Sequence, residues 1–355
     1  MPPIARRADD TDRPRWEAFI ASRPEADVLQ AWGWGDCTAL AGEPPYRILV
    51  EDGGRIQGVA QTLIRKGAFG RQIAYVPHGP VWDRSAPNGD RIFAWLAQGL
   101  RSLALKEKAL VVKLDPRHEP GEDFDFAHLA AAHDLQRAQD LQAPTTRIVD
   151  LLDGGEQLEA SWHADARRLS KRAAREGTQV TISREPNEAE ISVLHGLLAD
   201  VAEHADFRVR SAEFLMRLAT EFAASGGWYL GIARVEETPI AAMAFPRVGN
   251  RAHYLYGALL RDERYKHNYG SHAVMAEMLR TLAADGVTTV DMWGVVEPDD
   301  EGAVPAWKGF SNFKRTFGGA PLRHPGLYDL VTNRFWYRAR GLAQSIRSAM
   351  PGANG

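Results

Sequence analysis

The chain has 355 residues, 45% of them hydrophobic, and a formal net charge of −3 at pH 7. Its length and composition exclude a disordered tail or a small disulfide-stapled module and predict about two domains with a sizeable core. The net charge excludes a globally basic nucleic-acid binder. The N-terminus shows no apolar signal segment and no later apolar run reaches the length of a membrane span, so we expect a soluble cytoplasmic protein.

The predicted elements of the first half are a helix, three successive strands, a long helix and a final apolar strand. In chain order they occupy residues 13–21, 46–51, 55–65, 72–77, 89–106 and 109–115. The second half repeats this plan after an extra helix. Its elements occupy residues 188–204, 212–224, 228–235, 239–247, 251–259, 271–284 and 288–293. Three meandering strands, a helix and a further strand are typical of an acyltransferase domain of the GNAT type.

The repeated order predicts an α/β fold with mixed sheets and two tandem GNAT-like domains, with a cleft between them. We place the first domain at residues 1–150, where a strand-like segment leads into an Asp-Gly-Gly turn, and we expect residues 320–355 to join it. The second domain then covers residues 151–319. No linker-like segment separates the halves, so we expect them to pack against each other.

A helix-like segment at residues 162–177 carries a concentration of positive charge. Its cations recur at spacings of three and four, so most of them share one helix face. They are Arg167, Arg168, Lys171, Arg172 and Arg175. This face predicts a phosphate-rich partner, because each neutralised phosphate releases counterions. The alternative is a solvated helix face without a ligand.

The segment Phe313-Lys314-Arg315-Thr316-Phe317-Gly318-Gly319 combines two cations with flanking aromatic residues and two glycines that can adopt positive φ. It offers a positive charge on an apolar wall, with backbone amides nearby, and favours an anion or a developing negative charge. If the segment is extended, Arg315 points away from Lys314. The alternative is a surface lysine without a ligand.

Two aspartates, Asp115 and Asp291, each end an apolar strand, where α/β enzymes present functional groups. Asp115 is a candidate weak base or receptor for an ammonium group, although Pro116 also suits a simple strand-ending turn. A buried cap is the alternative for Asp291. Tyr254 and Tyr256 are spaced by two and are predicted on one sheet face, where they either pack in the core or contact substrate through their hydroxyls.

The sequence predicts neither a metal centre nor a bound cofactor. Its histidines and single cysteine lack the spacing of metal ligands. A GNAT enzyme binds the coenzyme A pyrophosphate at a glycine-rich turn that opens a helix. Residues 266–272 occupy that position and contain one glycine beside the bulky Tyr269 and His272. We therefore expect a donor other than coenzyme A.

Several short motifs follow one another along the chain. They are Gln30-Ala31-Trp32-Gly33-Trp34, His78-Gly79-Pro80-Val81, residues 111–116, residues 145–151, the basic segment 167–177, residues 254–258, and Phe313-Lys314 with Phe317-Gly318-Gly319. In this order, and over about residues 28–320, the chain resembles the Fem family of peptidoglycan bridge-forming aminoacyltransferases. Proteins of this family carry two tandem GNAT-like domains and take amino acids from aminoacyl-tRNA.

The resemblance implies transfer of an amino acid from aminoacyl-tRNA to the stem-peptide amine of a peptidoglycan precursor, either lipid II or a UDP-muropeptide. It also allows peripheral contact with a lipid-linked acceptor at the inner membrane face. Lys314 is then expected to place its charge near the ester carbonyl or the terminal adenosine phosphate, and Phe313 to offer its backbone and a stacking face. Arg315 is expected to assist at a more distant phosphate, and the cations of the basic segment to bind tRNA.

At three positions where muropeptide-binding members of the family tend to carry a cation, this chain has Thr38, His78 and His204. We assign these residues to the acceptor site, but their weaker charge leaves a second hypothesis open. In that hypothesis the protein is an N-acyltransferase that uses acyl-CoA or an acyl carrier in polysaccharide or envelope biosynthesis. A third hypothesis is a non-catalytic RNA-binding protein that uses the basic segment. RNA binding that weakens steeply with salt separates a tRNA ligand from a small-molecule donor.

Overall fold

The computed structural model describes residues 4–67, 71–152, 154–203, 208–298, 308–333, 335 and 337. It divides the chain into two compact units. The first unit comprises Met1–Leu141 and His324–Gly355, and the second comprises Gln142–Arg323. Each unit contains a sheet with both parallel and antiparallel strand pairs, which confirms the predicted mixed α/β class.

The described part of the first unit is built around an eight-stranded sheet. Its elements before residue 142 are β1 (Ile4–Arg7), α1 (Arg13–Ala21), α2 (Trp32–Leu40), β2 (Pro45–Asp52), β3 (Arg55–Lys66), β4 (Gln72–Val76), β5 (Val81–Trp82), α3 (Gly89–Lys106), β6 (Ala109–Leu114), α4 (Phe126–Ala132) and β7 (Leu135–Arg137).

The second unit contains nine strands and six α-helices within the described residues. They are β8 (Thr145–Asp150), α5 (Gly155–Ala160), α6 (Ala164–Arg175), β9 (Thr178–Ser183), α7 (Glu188–Ala202), α8 (Ala212–Ala223), β10 (Leu230–Val235), β11 (Thr238–Ala244), β12 (Arg247–Val248), β13 (Arg251–His253), β14 (Tyr256–Leu259), α9 (Gly270–Ala284), β15 (Thr289–Asp291), α10 (Lys308–Thr316) and β16 (Ala320–Arg323). The chain then returns to the first unit as β17 (Tyr328–Val331).

The core of the first unit lies between α3 and the sheet, whose strand order is β1-β2-β3-β4-β6-β17-β7, with β5 beside β3. Helix α3 is amphipathic, and Ile92, Phe93 and Leu96 on its apolar face are fully buried. Every residue of β6 is buried as well. Burying one such side chain stabilises the fold by roughly 1.5–3 kcal/mol. This packing explains why a continuous apolar run in the sequence predicts β6 correctly.

The second unit has two sheets in its described part, with strand orders β14-β11-β10-β9 and β12-β13-β15-β8-β16. Helix α9 packs closely on β10 at Gly231. A Cβ at this position would lie 2.7 Å from Val274 and 3.2 Å from Met278, both on α9. The missing side chain therefore sets how closely the helix approaches the sheet.

The strand-like segment at the predicted domain boundary is β8, and it belongs to the second unit. It pairs antiparallel with β15 on one side and with β16 on the other. Val149 of β8 is buried opposite Val290 of β15. The partners that complete these ladders lie more than a hundred residues along the chain, so the position of β8 in the sequence does not indicate which unit contains it.

The predicted single strand at residues 251–259 is two strands in different sheets. β13 pairs with β12 and β15, whereas β14 pairs with β11. The chain passes from one sheet to the other at Tyr254 and Leu255. The expectation that Tyr254 and Tyr256 share a sheet face is therefore wrong, because the alternation of side chains holds only within one continuous strand.

The Phe313–Thr316 segment, which we considered as an extended chain, lies in helix α10. The helix ends where Gly318 and Gly319 adopt positive φ values of 83° and 73°. Such a left-handed ending is a common helix terminus that glycine adopts at little cost. The two glycines therefore end the helix, and Lys314 and Arg315 lie in its last turn.

Candidate active site

Lys314 lies in α10 with its side chain fully buried. Its Nζ donates a hydrogen bond of 2.8 Å to the carbonyl oxygen of Gly294. The same Nζ lies 3.8 Å from the ring centroid of Phe310 and 5.3 Å from that of Tyr254. Phe310 precedes Lys314 by one helical turn, so the helix places this ring beside the cation. A carbonyl and two aromatic rings surround the amine, which is therefore not an exposed surface lysine.

Burial lowers the pKa of Lys314 from 10.5 to about 7, and the negative charge of Asp291 opposes this shift. Near neutral pH, both the ammonium and the free amine are therefore populated. An ammonium can stabilise a developing oxyanion, and a free amine can accept a proton. The site thus has charge states suited to acyl transfer.

Asp291 ends β15 and is buried close to Lys314 in the second unit. Its carboxylate accepts hydrogen bonds from the hydroxyl of Thr146 and from the backbone N of Trp293, the latter at 2.7 Å. Burial raises the pKa of Asp291, but the charge of His253 and these hydrogen bonds outweigh burial and hold the pKa below its usual range. Asp291 is therefore a buried anion. Its partner Thr146 was missed in the sequence, because β8 and β15 are far apart along the chain.

Helix α10 holds the backbone of residues 294–296 through several polar side chains. Lys314 binds Gly294, and the hydroxyl of Ser311 accepts a hydrogen bond of 2.9 Å from the backbone N of Val296. Arg315 donates a hydrogen bond of 2.8 Å to the carbonyl oxygen of Val296. The guanidinium of Arg315 thus holds this segment, and its predicted role at a distant phosphate stays a prediction.

Phe313 is half-buried and packs among aromatic rings. Its ring centroid lies 5.1 Å from that of His272 and 5.4 Å from that of Phe317, both in edge-to-face geometry. Burial lowers the pKa of His272 to about 4, so this imidazole is neutral at pH 7. The side chain of Phe313 thus packs at the C-terminal end of α10, against His272 and Phe317. Its predicted stacking on a substrate stays a prediction.

The two glycines after α10 present carbonyl groups to a cation. Arg147 on β8 donates hydrogen bonds to the carbonyl oxygens of Gly318 and Gly319, at 3.1 Å and 2.7 Å. The backbone N of Gly318 donates to Arg315 within the helix terminus. The Gly318 amide that we expected to be near an anion is therefore already bonded.

Of the two tyrosines proposed for the substrate site, Tyr254 lies beside Lys314. It is buried, its ring stacks on Phe245 with centroids 5.0 Å apart, and burial raises the pKa of its hydroxyl. Tyr256 is half-buried on β14, opposite Ala244. The structure thus brings only Tyr254 next to the lysine, as part of its aromatic surroundings.

The cations of the basic segment lie on α6 in two kinds of environment. Arg167 is half-buried and donates hydrogen bonds to the carbonyl oxygens of Ala160 and Trp162, so it caps the end of α5 instead of facing outward. The other four cations are exposed: Arg168, Lys171, Arg172 and Arg175. Arg168 and Arg172 form surface ion pairs with neighbouring carboxylates. Such exposed pairs are weak, so the face remains positively charged.

In the first unit, His78 and Asp115 are brought together in a buried polar cluster. The imidazole of His78 bonds to Asp27 through Nδ1 and to Arg117 through Nε2, and its Nε2 lies 3.9 Å from the carboxylate of Asp115. Tyr75 donates a hydrogen bond of 3.2 Å to Asp115. Arg117 therefore supplies a cation where the sequence showed only a histidine, and only its position two residues after Asp115 could have indicated this.

The other two residues predicted for the acceptor site are Thr38 and His204. Thr38 is fully buried in α2, and its hydroxyl donates a hydrogen bond of 2.8 Å to the carbonyl oxygen of Gly35. It is therefore enclosed within the first unit, and its assignment to the acceptor site stays a prediction. His204 lies outside the described residues.

A cavity of about 500 Å³ in the first unit contains none of the predicted site residues. Its lining consists of Arg7, Ala8, Asp9, Asp10, Trp32, Pro45 and Arg47. Across the described part of the chain, no group of three or more His, Cys, Asp or Glu side chains has the geometry of a metal site. None of the helices in that part combines the length and apolarity needed to cross a membrane.

Comparison with known proteins gives a match at the level of sequence. Residues 160–315 match the family model described as an acetyltransferase (GNAT) domain. The lipid II:glycine glycyltransferase of Staphylococcus epidermidis is 22% identical, over 90% of this chain and 92% of the relative. The enzyme of the same name from Staphylococcus aureus (strain bovine RF122 / ET3-1) is 30% identical over 174 residues, which are 46% of this chain and 40% of the relative.

Solved structures give the same fold. A crystal structure of FemX matches with a TM-score of 0.81 and 19% identity, over 94% of this chain and 99% of that chain. A tandem GNAT protein from the clavulanic acid biosynthesis pathway matches with a TM-score of 0.56 and 16% identity, over 93% of this chain and 99% of that chain. These likenesses confirm the predicted tandem GNAT-like fold.

Proposed function

We propose that this chain is a Fem-like acyltransferase that transfers an amino acid onto an amine of a peptidoglycan precursor. The donor in this proposal is aminoacyl-tRNA, and the acceptor is the stem peptide of lipid II or of a UDP-muropeptide. Relatives named lipid II:glycine glycyltransferase align with nearly the whole chain, which favours glycine as the first amino acid to test. A lipid-linked acceptor requires only peripheral contact with the inner membrane face.

The observation that carries the proposal is the enclosed lysine within the matched GNAT segment. In the proposed reaction, the acceptor amine attacks the ester carbonyl, an amide C–N bond forms, and the bond to the tRNA ribose oxygen breaks. The proton lost by the amine ends on that leaving oxygen. The tetrahedral intermediate carries a negative charge, which the ammonium of Lys314 stabilises. The low dielectric constant of its buried surroundings strengthens this interaction.

The two substrates are proposed to meet different charged groups. Exposed cations of α6, among them Lys171 and Arg175, are proposed to bind tRNA phosphates. In the first unit, Asp115 is proposed to receive the acceptor's ammonium; Tyr75 donates a hydrogen bond to its carboxylate, and His78, which is bonded to Arg117, lies 3.9 Å from it. This cluster supplies the carboxylate that an ammonium group needs.

The direct test is transfer of radiolabel from charged tRNA to a muropeptide. Purified protein is incubated with radiolabelled glycyl-tRNA, and in parallel with other aminoacyl-tRNAs, plus lipid II or a UDP-muropeptide. We expect label to appear in the acceptor with the wild-type protein and to be strongly reduced with Lys314→Met. A folded protein that transfers no label from any charged tRNA contradicts the proposal.

The same assay separates the other two hypotheses. Label that moves from radiolabelled acetyl-CoA to an amine identifies a coenzyme A-dependent N-acyltransferase. Salt-sensitive tRNA binding without any transfer identifies an RNA-binding protein. In both assays, Lys314→Met is the variant that changes the candidate site but leaves the cations of α6 in place.

A further inference from the structure

The turn after β15 places an unusual backbone conformation next to Lys314. Trp293 has a φ of 61°, a left-handed conformation that a bulky residue adopts only when its surroundings hold it there. Its backbone N donates to the carboxylate of Asp291, and its carbonyl oxygen lies 3.0 Å from the Thr146 hydroxyl, whose single proton is shared between this oxygen and the Asp291 carboxylate. Asp291 and Thr146 therefore fix both sides of this turn.

This turn also positions Gly294, the hydrogen-bond partner of Lys314. Gly294 follows Trp293 directly, and its carbonyl oxygen accepts the hydrogen bond from Lys314 Nζ. The direction of that carbonyl depends on the conformation of Trp293. A polar connection therefore runs from Thr146 and Asp291, through the turn, to the amine.

Asp291 also acts on Lys314 through its charge. The carboxylate is buried and ionised, and its negative charge favours the ammonium form of the lysine against the cost of burial. The lysine is hydrogen-bonded to a neutral carbonyl, so the carboxylate acts across the turn and not by direct contact.

We propose that Asp291 is a positioning residue for Lys314, with Thr146 as its support. Its carboxylate holds the 293–294 turn so that the Gly294 carbonyl meets Nζ, and its negative charge acts on Lys314 across that turn. The link between Asp291 and Lys314 stands on the geometry, whereas its effect on turnover rests on the proposed function.

The test follows the titration of Lys314 by NMR in protein labelled with [ε-¹³C]lysine, without substrate. The Lys314 signal is assigned by its loss in Lys314→Arg. In Asp291→Asn, which keeps the side-chain oxygen but removes the charge, we expect the titration midpoint to fall by about one pH unit. The matched control is Asp285→Asn. It removes a half-buried carboxylate that pairs with Arg184 in the same unit, and it should leave the titration midpoint of Lys314 unchanged.

Thr146→Val gives a second, independent measurement, and it decides the question if Asp291→Asn does not fold. It keeps the Asp291 charge but removes the hydroxyl that holds the turn, so we expect kcat to fall about threefold to tenfold with KM unchanged. An unchanged Lys314 midpoint in folded Asp291→Asn, or an unchanged kcat in Thr146→Val, overturns the proposal. If the wild-type protein transfers nothing but its Lys314 midpoint still depends on Asp291, only the proposed function fails.

Discussion

Each unit contains a buried lysine, and the two lysines have different partners. Lys113 on β6 of the first unit forms an ion pair of 2.6 Å with Asp329 on β17, and Asp329 also accepts a hydrogen bond from Tyr337. Lys314 in the second unit is hydrogen-bonded to the carbonyl oxygen of Gly294 and enclosed by aromatic rings. Within the described part of the chain, no carboxylate lies in ion-pair contact with Lys314.

The difference shows what decides the role of a buried cation. A contacting carboxylate compensates the charge of Lys113, so this pair ties β17 to β6. A carbonyl and aromatic rings compensate Lys314 only in part, and its pKa falls to about 7. A buried group with such a perturbed pKa is a candidate for chemistry, whereas a compensated pair is a structural tie.

The largest expected effect is on transfer activity in Lys314→Met. Methionine fills the aromatic surroundings without a charge, so we expect kcat to fall by about a hundredfold to a thousandfold while the free energy of unfolding is unchanged or higher. The measurements are steady-state transfer and urea unfolding. The control is Lys266→Met, which removes an exposed lysine paired with Glu263. Near-normal turnover by folded Lys314→Met contradicts the proposed role.

Lys113→Met is expected to change stability. It leaves the carboxylate of Asp329 buried without its ion-pair partner, so the free energy of unfolding should fall by about 3–5 kcal/mol, as measured by urea denaturation. The double variant Lys113→Met/Asp329→Leu should recover much of this loss, because both buried charges are removed. A loss below about 1 kcal/mol in the single variant shows that the pair is not a structural tie.

The pH dependence of stability should differ between the wild type and Lys314→Met. The pKa of Lys314 is about 7 in the folded chain and near 10.5 when unfolded, so between these values the unfolded chain binds the extra proton. The wild type should therefore gain stability relative to Lys314→Met as pH rises from 7 to 10, by a few kcal/mol. Urea unfolding at several pH values measures the difference. A constant difference contradicts the lowered pKa.

The smallest effects are expected on the exposed face of α6. Lys171→Ala and Arg175→Ala should each weaken tRNA binding a few-fold and reduce the slope of log affinity against log salt by about 0.7–0.9. Fluorescence anisotropy with labelled tRNA at several salt concentrations measures both quantities. Arg264→Ala, which removes an exposed cation paired with Asp262, is the control. Equal slopes in all four proteins exclude phosphate contact by this face.

Local patterns in the sequence predicted a large part of the fold. The amphipathic repeat of α3 and the continuous apolar run of β6 are strong signals, and both elements lie where we placed them. The spacing of the α6 cations also placed most of them on an exposed face. Arg167 is the exception, because the nearby end of α5 offers carbonyl oxygens that its guanidinium binds.

The candidate site was predicted less completely, because its parts are far apart in the chain. Lys314 was singled out by its aromatic neighbours and by the resemblance. The sequence did not predict that its segment is helical. Phe310 could have been found from its spacing of four before Lys314 once a helix was assumed. Thr146 and Gly294 carry no local signal, since they become neighbours of the site only through strand pairing and a turn.

By itself, the sequence determined the α/β class, the repeated order of elements and the segment that carries Lys314. These depend on periodicity and on short motifs, which act between residues close in the chain. The tertiary structure alone decided that β8 joins the second unit, that Tyr254 and Tyr256 separate, and that Lys314 is buried near Asp291. The physical reason is that burial and charge compensation depend on groups brought together across long separations, which no local pattern encodes.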